Sequence, residues 1–390
     1  MTRKATKPSN RSDEPPLPIE RILRSPFEPA RRAAPEAVRS FAGLNGLVFE
    51  GASSRSRPRV GFESLRLAGS AAWVMSASQP LQIGLPVQSS RVLRRGGRAR
   101  GVKGRPEPVH FEWNARHYHP VLDVRTARFE RRADGKRVVP TDALDALIFG
   151  TDNRAMFYPT SYPWHCIGRL ESGAGQNVGT GALVGRDLVL TARHVVQDNG
   201  PTAMMKFVPA YYAGQSTVGS GVFSWVKSNT YYGGSDLGAW DFALLRLYQP
   251  LGDMLGYFGV RTYNDSWDDK PLWDAVGYPS MAPFLNLYPS FMICSIDDAD
   301  NDGDATELES EDQDNSKGNS GGPLWSVWPD GPYLVGVTSG NEHVDYGPFG
   351  DDYQVLNASG KAMVDLVALA WLEIDTTIHV RPPDIELSGG

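Results

Sequence analysis

Cysteine is nearly absent from this chain of 390 residues: Cys166 and Cys294 are its only two. One bridge between them is all the disulfide chemistry available, so a disulfide scaffold and a cysteine-rich zinc module are both excluded. Long apolar runs are lacking as well. No stretch approaches 18 uninterrupted apolar residues, which excludes a membrane-spanning helix. The first thirty residues carry Arg3, Lys4 and Lys7, then prolines and acids, without the apolar segment of a secretory signal, and so name no compartment. Basic residues are scarce in the second part of the chain. Residues 151–390 hold 12 Lys and Arg against 31 Asp and Glu, whereas residues 1–150 hold 27 against 14. A split this steep points to two parts that partner each other, with nucleic acid or an anionic membrane as alternative partners of the basic half.

The same boundary appears in the texture of the sequence. Residues 1–40 carry seven prolines among Arg, Ser and Glu and read as a disordered segment, because too little apolar surface is present to offset ordering entropy. Residues 41–155 read as a basic extension, including the run from Arg91 to Arg105, that packs on the rest of the chain in the manner of a removable pro-region. From 156 to 376 the sequence turns to short β-type runs punctuated by Gly, Pro and Asn. Expected strands include 164–170, 187–191, 241–248, 272–277 and 322–327, a pattern of sandwiches and barrels. Met363, Leu366, Val367, Ala370 and Ile374 fall on one face at helical spacing and predict a helix. Residues 377–390 read as a tail.

Three motifs lie in this β-rich part. An apolar strand, Leu188 to Leu190, runs into Thr191-Ala192-Arg193-His194. Asp241 heads the alternating run Phe242 to Leu247. Ser320 sits among glycines in Gly318-Asn319-Ser320-Gly321-Gly322-Pro323. A serine hydroxyl is a weak nucleophile until a base takes its proton, and a neutral histidine oriented by a buried carboxylate is such a base. Glycines beside the serine allow backbone N–H groups, those of Gly318 and Ser320, to approach an oxyanion. Read singly, His194 is a buried histidine, Asp241 a strand cap and Ser320 a turn serine. Together and in this order they make a catalytic constellation.

The order His, Asp, Ser, with the T-A-x-H, D-x-A-L-L and G-N-S-G-G-P signatures and the Gly277-Tyr278-Pro279 turn, resembles trypsin-like serine peptidases, and within them the bacterial glutamyl-endopeptidase-like branch. The resemblance implies a mainly β fold of two six-stranded antiparallel barrels with a C-terminal helix. It implies a serine endopeptidase acting on protein or peptide substrates through His194, Asp241 and Ser320, with no cofactor needed. It also implies that Thr338-Ser339-Gly340 pairs with the substrate backbone and that Asp314, six residues before Ser320, lies at the floor of the primary specificity pocket, favouring Arg or Lys before the cut. Two positions depart from the family. Asn319 stands where trypsins carry an acid that pairs with a newly cut N-terminus, and Val337 stands where glutamyl specialists usually carry histidine. The reading from another class is a non-catalytic trypsin-fold binding module whose basic arm takes a polyanion.

Two further clusters invite a metal. Residues 297–314 hold ten acids and no base, and Asp298, Asp300, Asp302, Asp304 and Glu309, with Gly303 between, fit the spacing of a calcium loop. A structural calcium is therefore expected there, with a solvated acidic excursion as the plain alternative. His110, His117 and His119 with Glu112 read as an ordinary basic surface.

Overall fold

The computed structural model describes residues 14–35, 48–50, 63–67, 70–74, 87–95, 105–123, 146–345 and 351–374, with the backbone alone for 48–50, 63–67, 70–74, 344, 345, 351 and 374. The first β-rich lobe is a closed barrel of β1 (Ile167–Ser172), β2 (Asn177–Leu183), β3 (Leu188–Thr191), β4 (Met205–Pro209), β5 (Ser224–Tyr232) and β6 (Ala243–Leu247). Its antiparallel order β4-β1-β2-β3-β6-β5 closes through a pairing of β4 with β5. Leu170, Leu190, Phe207, Val226 and Leu245, one from each of five strands, are buried in a shared core. Closure gives each of the six a partner on both sides, which is how such sheets avoid unpaired edge backbone.

The second lobe is one larger sheet. Its strands are β7 (Trp273–Gly277), β8 (Ser290–Cys294), β9 (Asp298–Asp302), β10 (Ala305–Ser310), β11 (Pro323–Trp328), β12 (Gly331–Asp345) and β13 (Asp351–Ser359), in the order β9-β10-β13-β12-β11-β7-β8. Trp267, Trp273, Trp328 and Tyr333 form a separate aromatic cluster in it, with the Arg261 guanidinium 4.1 Å from the centre of the Trp328 ring. The C-terminal helix, Lys361–Ile374, buries Met363, Leu366, Val367 and Ala370 in the main core, on the face expected from their spacing. Burial of Met363, Leu366 and Val367 is worth about 1.5–3 kcal/mol each relative to exposure. Trp371 fixes the helix to the first lobe by donating from Nε1 to the Val184 carbonyl at 2.8 Å.

The upstream residues join both lobes. Ser89–Leu93 adds a parallel strand to β5, and Ala155–Tyr158 pairs with β8. Within the segment expected to be disordered, residues 14–35 are ordered: Leu17 N–H donates to the Val327 carbonyl at 2.7 Å, Trp328 Nε1 donates to the Glu14 carbonyl at 2.8 Å, and Ile22 is buried. Proline density hid these few anchors. The expected tail 377–390 lies outside the described residues.

Candidate active site

His194 is the second residue of a one-and-a-half-turn helix, Arg193–Asp198, that begins where β3 ends. Asp241 lies just before β6, and β3 pairs with β6 with Thr191 opposite Ala243, so strand register brings the two side chains together. His194 Nδ1–H donates to Asp241 Oδ2 at 2.6 Å, and the His194 backbone N–H donates to Oδ1 at 2.9 Å. Ser339 Oγ donates to the same Oδ2 at 2.6 Å and accepts from the Gly238 N–H at 2.9 Å. Asp241 is fully buried, so these bonds offset its desolvation. Burial pulls the His194 pKa down, but the hydrogen bond and charge of Asp241 outweigh it, and the imidazole titrates above its ordinary value. A further buried charge stands beside them: Arg193 Nε is 3.8 Å from Asp241 Oδ1 and opposes the rise. Sequence reading passed over Arg193 as the variable position of T-A-x-H, and its character as a charged residue inside an apolar run was the available signal.

Ser320 stands in a tight turn between the lobes, where Asn319 N–H donates to Ser316 O at 3.0 Å and Gly322 N–H to Asn319 O at 2.7 Å. Two glycines are required there. Gly318 has φ +101°, and a Cβ on it would lie 2.3 Å from Tyr278 O; Gly321 has φ +77°, and its Cβ would lie 2.0 Å from Thr191 Oγ1. The Gly318 carbonyl accepts from Thr180 Oγ1 at 2.8 Å, and the Lys317 carbonyl accepts from Ser280 N–H at 2.8 Å. Since N–H and C=O of a trans peptide point in opposite directions, the Gly318 N–H is turned away from Ser280. His194, Ser320, Gly318, Ser339 and Gly340 all line one cleft of about 670 Å³.

Other expected site residues lie elsewhere. Asp314 does not line this cleft. Asp314 is 2% exposed, and its carboxylate accepts from the Phe149 N–H at 2.8 Å and the Asn153 N–H at 2.9 Å. Burial pushes it up to about 6 against the pull of those two bonds. Asn315, Ser316 and Asn341 line the cleft on that side. Thr338 has no backbone to spare, because its N–H donates to Gly322 O and its carbonyl accepts from Gly321 N–H. The pairing of β11 with β12 ends at Val337, so the cleft-facing edge begins at Ser339.

The acidic stretch is a hairpin rather than a loop. β9 and β10 pair with Asp298 opposite Glu309 and Asp300 opposite Glu307, and Gly303 turns the chain with φ +68°. At about 3.3 Å per residue, the Asp298 and Asp302 backbones stand about 13 Å apart along an extended strand, not around the curled ring of a calcium loop. Among the described residues, Glu307, Glu309 and Glu342 are the acids whose oxygens converge. Cys166 and Cys294 are both buried and unbridged. His110 Nε2 is occupied by the Asn114 carbonyl at 2.9 Å, and Glu112 pairs with Arg32 at 2.6 Å.

A barrel lobe joined to a second β lobe, with a His–Asp pair and a glycine-flanked serine in the cleft, defines the architecture of a serine peptidase. The family described as Trypsin matches residues 153–350, just over half of the chain, and the chain belongs to that family of serine endopeptidases. Among solved structures it is similar to a Glu endopeptidase in complex with MPD, at 19% identity over 57% of this chain and 97% of that one, TM-score 0.44. It is also similar to the protease Anisep from Arthrobacter nicotinovorans, at 20% identity over 53% and 96%, TM-score 0.36. No curated protein matches the sequence.

Proposed function

We propose that this endopeptidase cleaves peptide bonds through an acyl-enzyme on Ser320. His194 takes the Ser320 proton as the hydroxyl attacks the scissile carbonyl, then returns it to the leaving amine. Asp241 holds His194 in the required tautomer and stabilises the imidazolium. The N–H groups of Gly318 and Ser320 receive the oxyanion. Water then attacks the acyl-enzyme with His194 again as base. The observation that carries the reading is the 2.6 Å bond from His194 Nδ1 to a fully buried Asp241 in the cleft that Ser320 lines. The cleft-facing edge of β12 at Ser339 and Gly340 would take the substrate as an added strand.

Kinetics on a denatured protein substrate test this. Ser320→Ala and His194→Ala should each lower kcat by about a thousandfold or more with an unchanged melting temperature. More than about one per cent residual activity in Ser320→Ala would refute the assignment. In a peptide series, Arg before the cut should be no better than a neutral polar residue, because the Asp314 carboxylate is engaged by Phe149 and Asn153 outside the cleft.

A further inference from the structure

Residues 146–152 precede the family match and Asn153 and Arg154 open it, and together they are stitched to the segment that leads into the serine turn. Ala146–Leu147 pairs antiparallel with Asn315–Ser316, with Leu147 opposite Asn315 and Ala146 opposite Ser316. Leu147 is buried. The two N–H bonds accepted by Asp314 come from Phe149 and Asn153 of the same segment. Arg154, 1% exposed, donates through Nη1 to Ser316 Oγ at 2.9 Å. Asp152 holds the other side of that guanidinium, accepting from Nε at 3.0 Å and from Nη2 at 2.7 Å, while Phe284 lies beneath it.

These contacts converge on residues 314–316, and the next residues, Lys317 and Gly318, are cleft wall. Burying a carboxylate and a guanidinium is costly unless their hydrogen bonds are satisfied. Asp314 spends its bonds on backbone N–H groups of residues 146–154 and Arg154 one of its own on the Ser316 side chain, an arrangement that fixes one segment against the other. Asn319, just before the serine, carries no charge that could hold a newly cut N-terminal ammonium.

We infer that residues 146–154 are a strap that positions the cleft wall Asn315–Gly318, and with it the Gly318 N–H, and that Asp314 and Arg154 are its positioning residues. The inference rests on the proposed roles of Ser320 and Gly318. It replaces the expectation of a detachable extension with one whose last residues must stay joined to the peptidase domain. Order in the wall comes from the intact chain, so the enzyme works without a cut between Leu147 and Arg154.

Gly150 is the place to test it, being exposed, at φ +79°, with nothing within 4 Å of a Cβ position. A recognition sequence for a site-specific protease is inserted after Gly150 in the full chain. Peptide hydrolysis and amide hydrogen exchange are then measured before and after the cut. The uncut protein should be active, with Ser320→Ala as the inactive control. Cutting should lower kcat about tenfold or more while KM stays within about threefold, since an oxyanion donor acts mainly in the transition state. Exchange across residues 314–320 should accelerate while β3 stays protected. Arg154→Ala should reproduce both effects, with Arg154→Lys restoring part of the rate. A cut protein that is equally or more active, or unchanged exchange across 314–320 in both the cut and the Arg154→Ala proteins, overturns the strap. Activity that survives Ser320→Ala would instead overturn the catalytic reading, and the exchange measurement would still decide the strap.

Discussion

His194 sets the pH response expected of the site. It must be neutral to accept the Ser320 proton, and its pKa lies above the ordinary histidine value because Asp241 outweighs burial. Activity should therefore rise with pH along an acid limb centred above about 6.5. Arg193 opposes Asp241 from 3.8 Å away, and both side chains are wholly buried, so the opposition is poorly screened. Arg193→Met should move the limb to higher pH, since the cation that favours neutral imidazole is gone. A pH profile of kcat/KM for the two proteins checks this, and a limb that stays in place would separate Arg193 from the titration. The motifs around His194, Asp241 and Ser320 were legible because each is a short strand meeting a turn. Arg193 was passed over and Asp314 was assigned to the pocket floor, because no local motif announces their partners: Asp314 is held by Phe149 and Asn153 from a distant segment, and Arg193 lies beside Asp241.

At the scale of elements, the acidic hairpin shows why one pattern supports two readings. Acids at alternating positions with a glycine after the third suit a calcium loop, and equally one face of a strand ending in a tight turn. In the structure the stretch is paired: β10 is held on both edges, by β9 and by β13. Neither β10 nor β13 stood out in the sequence, because acids and amides fill positions that a half-buried strand usually gives to Val or Ile. The strands at 187–191 and 272–277, with apolar runs, were placed within one residue, as was the buried face of the C-terminal helix. Burial pushes Glu307 and Glu309 up to about 7, with neighbouring acids adding to it. Their folded pKa values exceed the unfolded value near 4.5, so their contribution to stability is full below about 4.5 and is lost as pH rises through about 7. Glu307→Gln should raise the melting temperature more at pH 8 than at pH 5. An equal change at both would show that Glu307 is not strained by ionisation.

The whole molecule carries its charge asymmetry differently from what composition suggests. Arginines of the basic part do meet acids of the other: Arg91 with Glu373 at 3.4 Å, Arg95 with Asp236 at 2.7 Å and Arg105 with Asp330 at 2.9 Å. These pairs are largely exposed, and each is worth about 0–1 kcal/mol. Parallel pairing of Ser89–Leu93 with β5, and the burial of Ile22 and Val87 in the main core, hold more. In about 1 M salt, where screening acts over about 3 Å, residues 87–95 should therefore keep their hydrogen-exchange protection; its loss would mean that charge alone holds them. The central claim is that Ser320 is a nucleophile activated by His194 and Asp241. Its most direct test is the intact mass and peptide map of the full-length protein after exposure to a fluorophosphonate probe. A single adduct on Ser320, absent in Ser320→Ala and slowed by about a thousandfold or more in His194→Ala, is the predicted result. An unmodified Ser320 in folded protein, or equal labelling in His194→Ala, would contradict it.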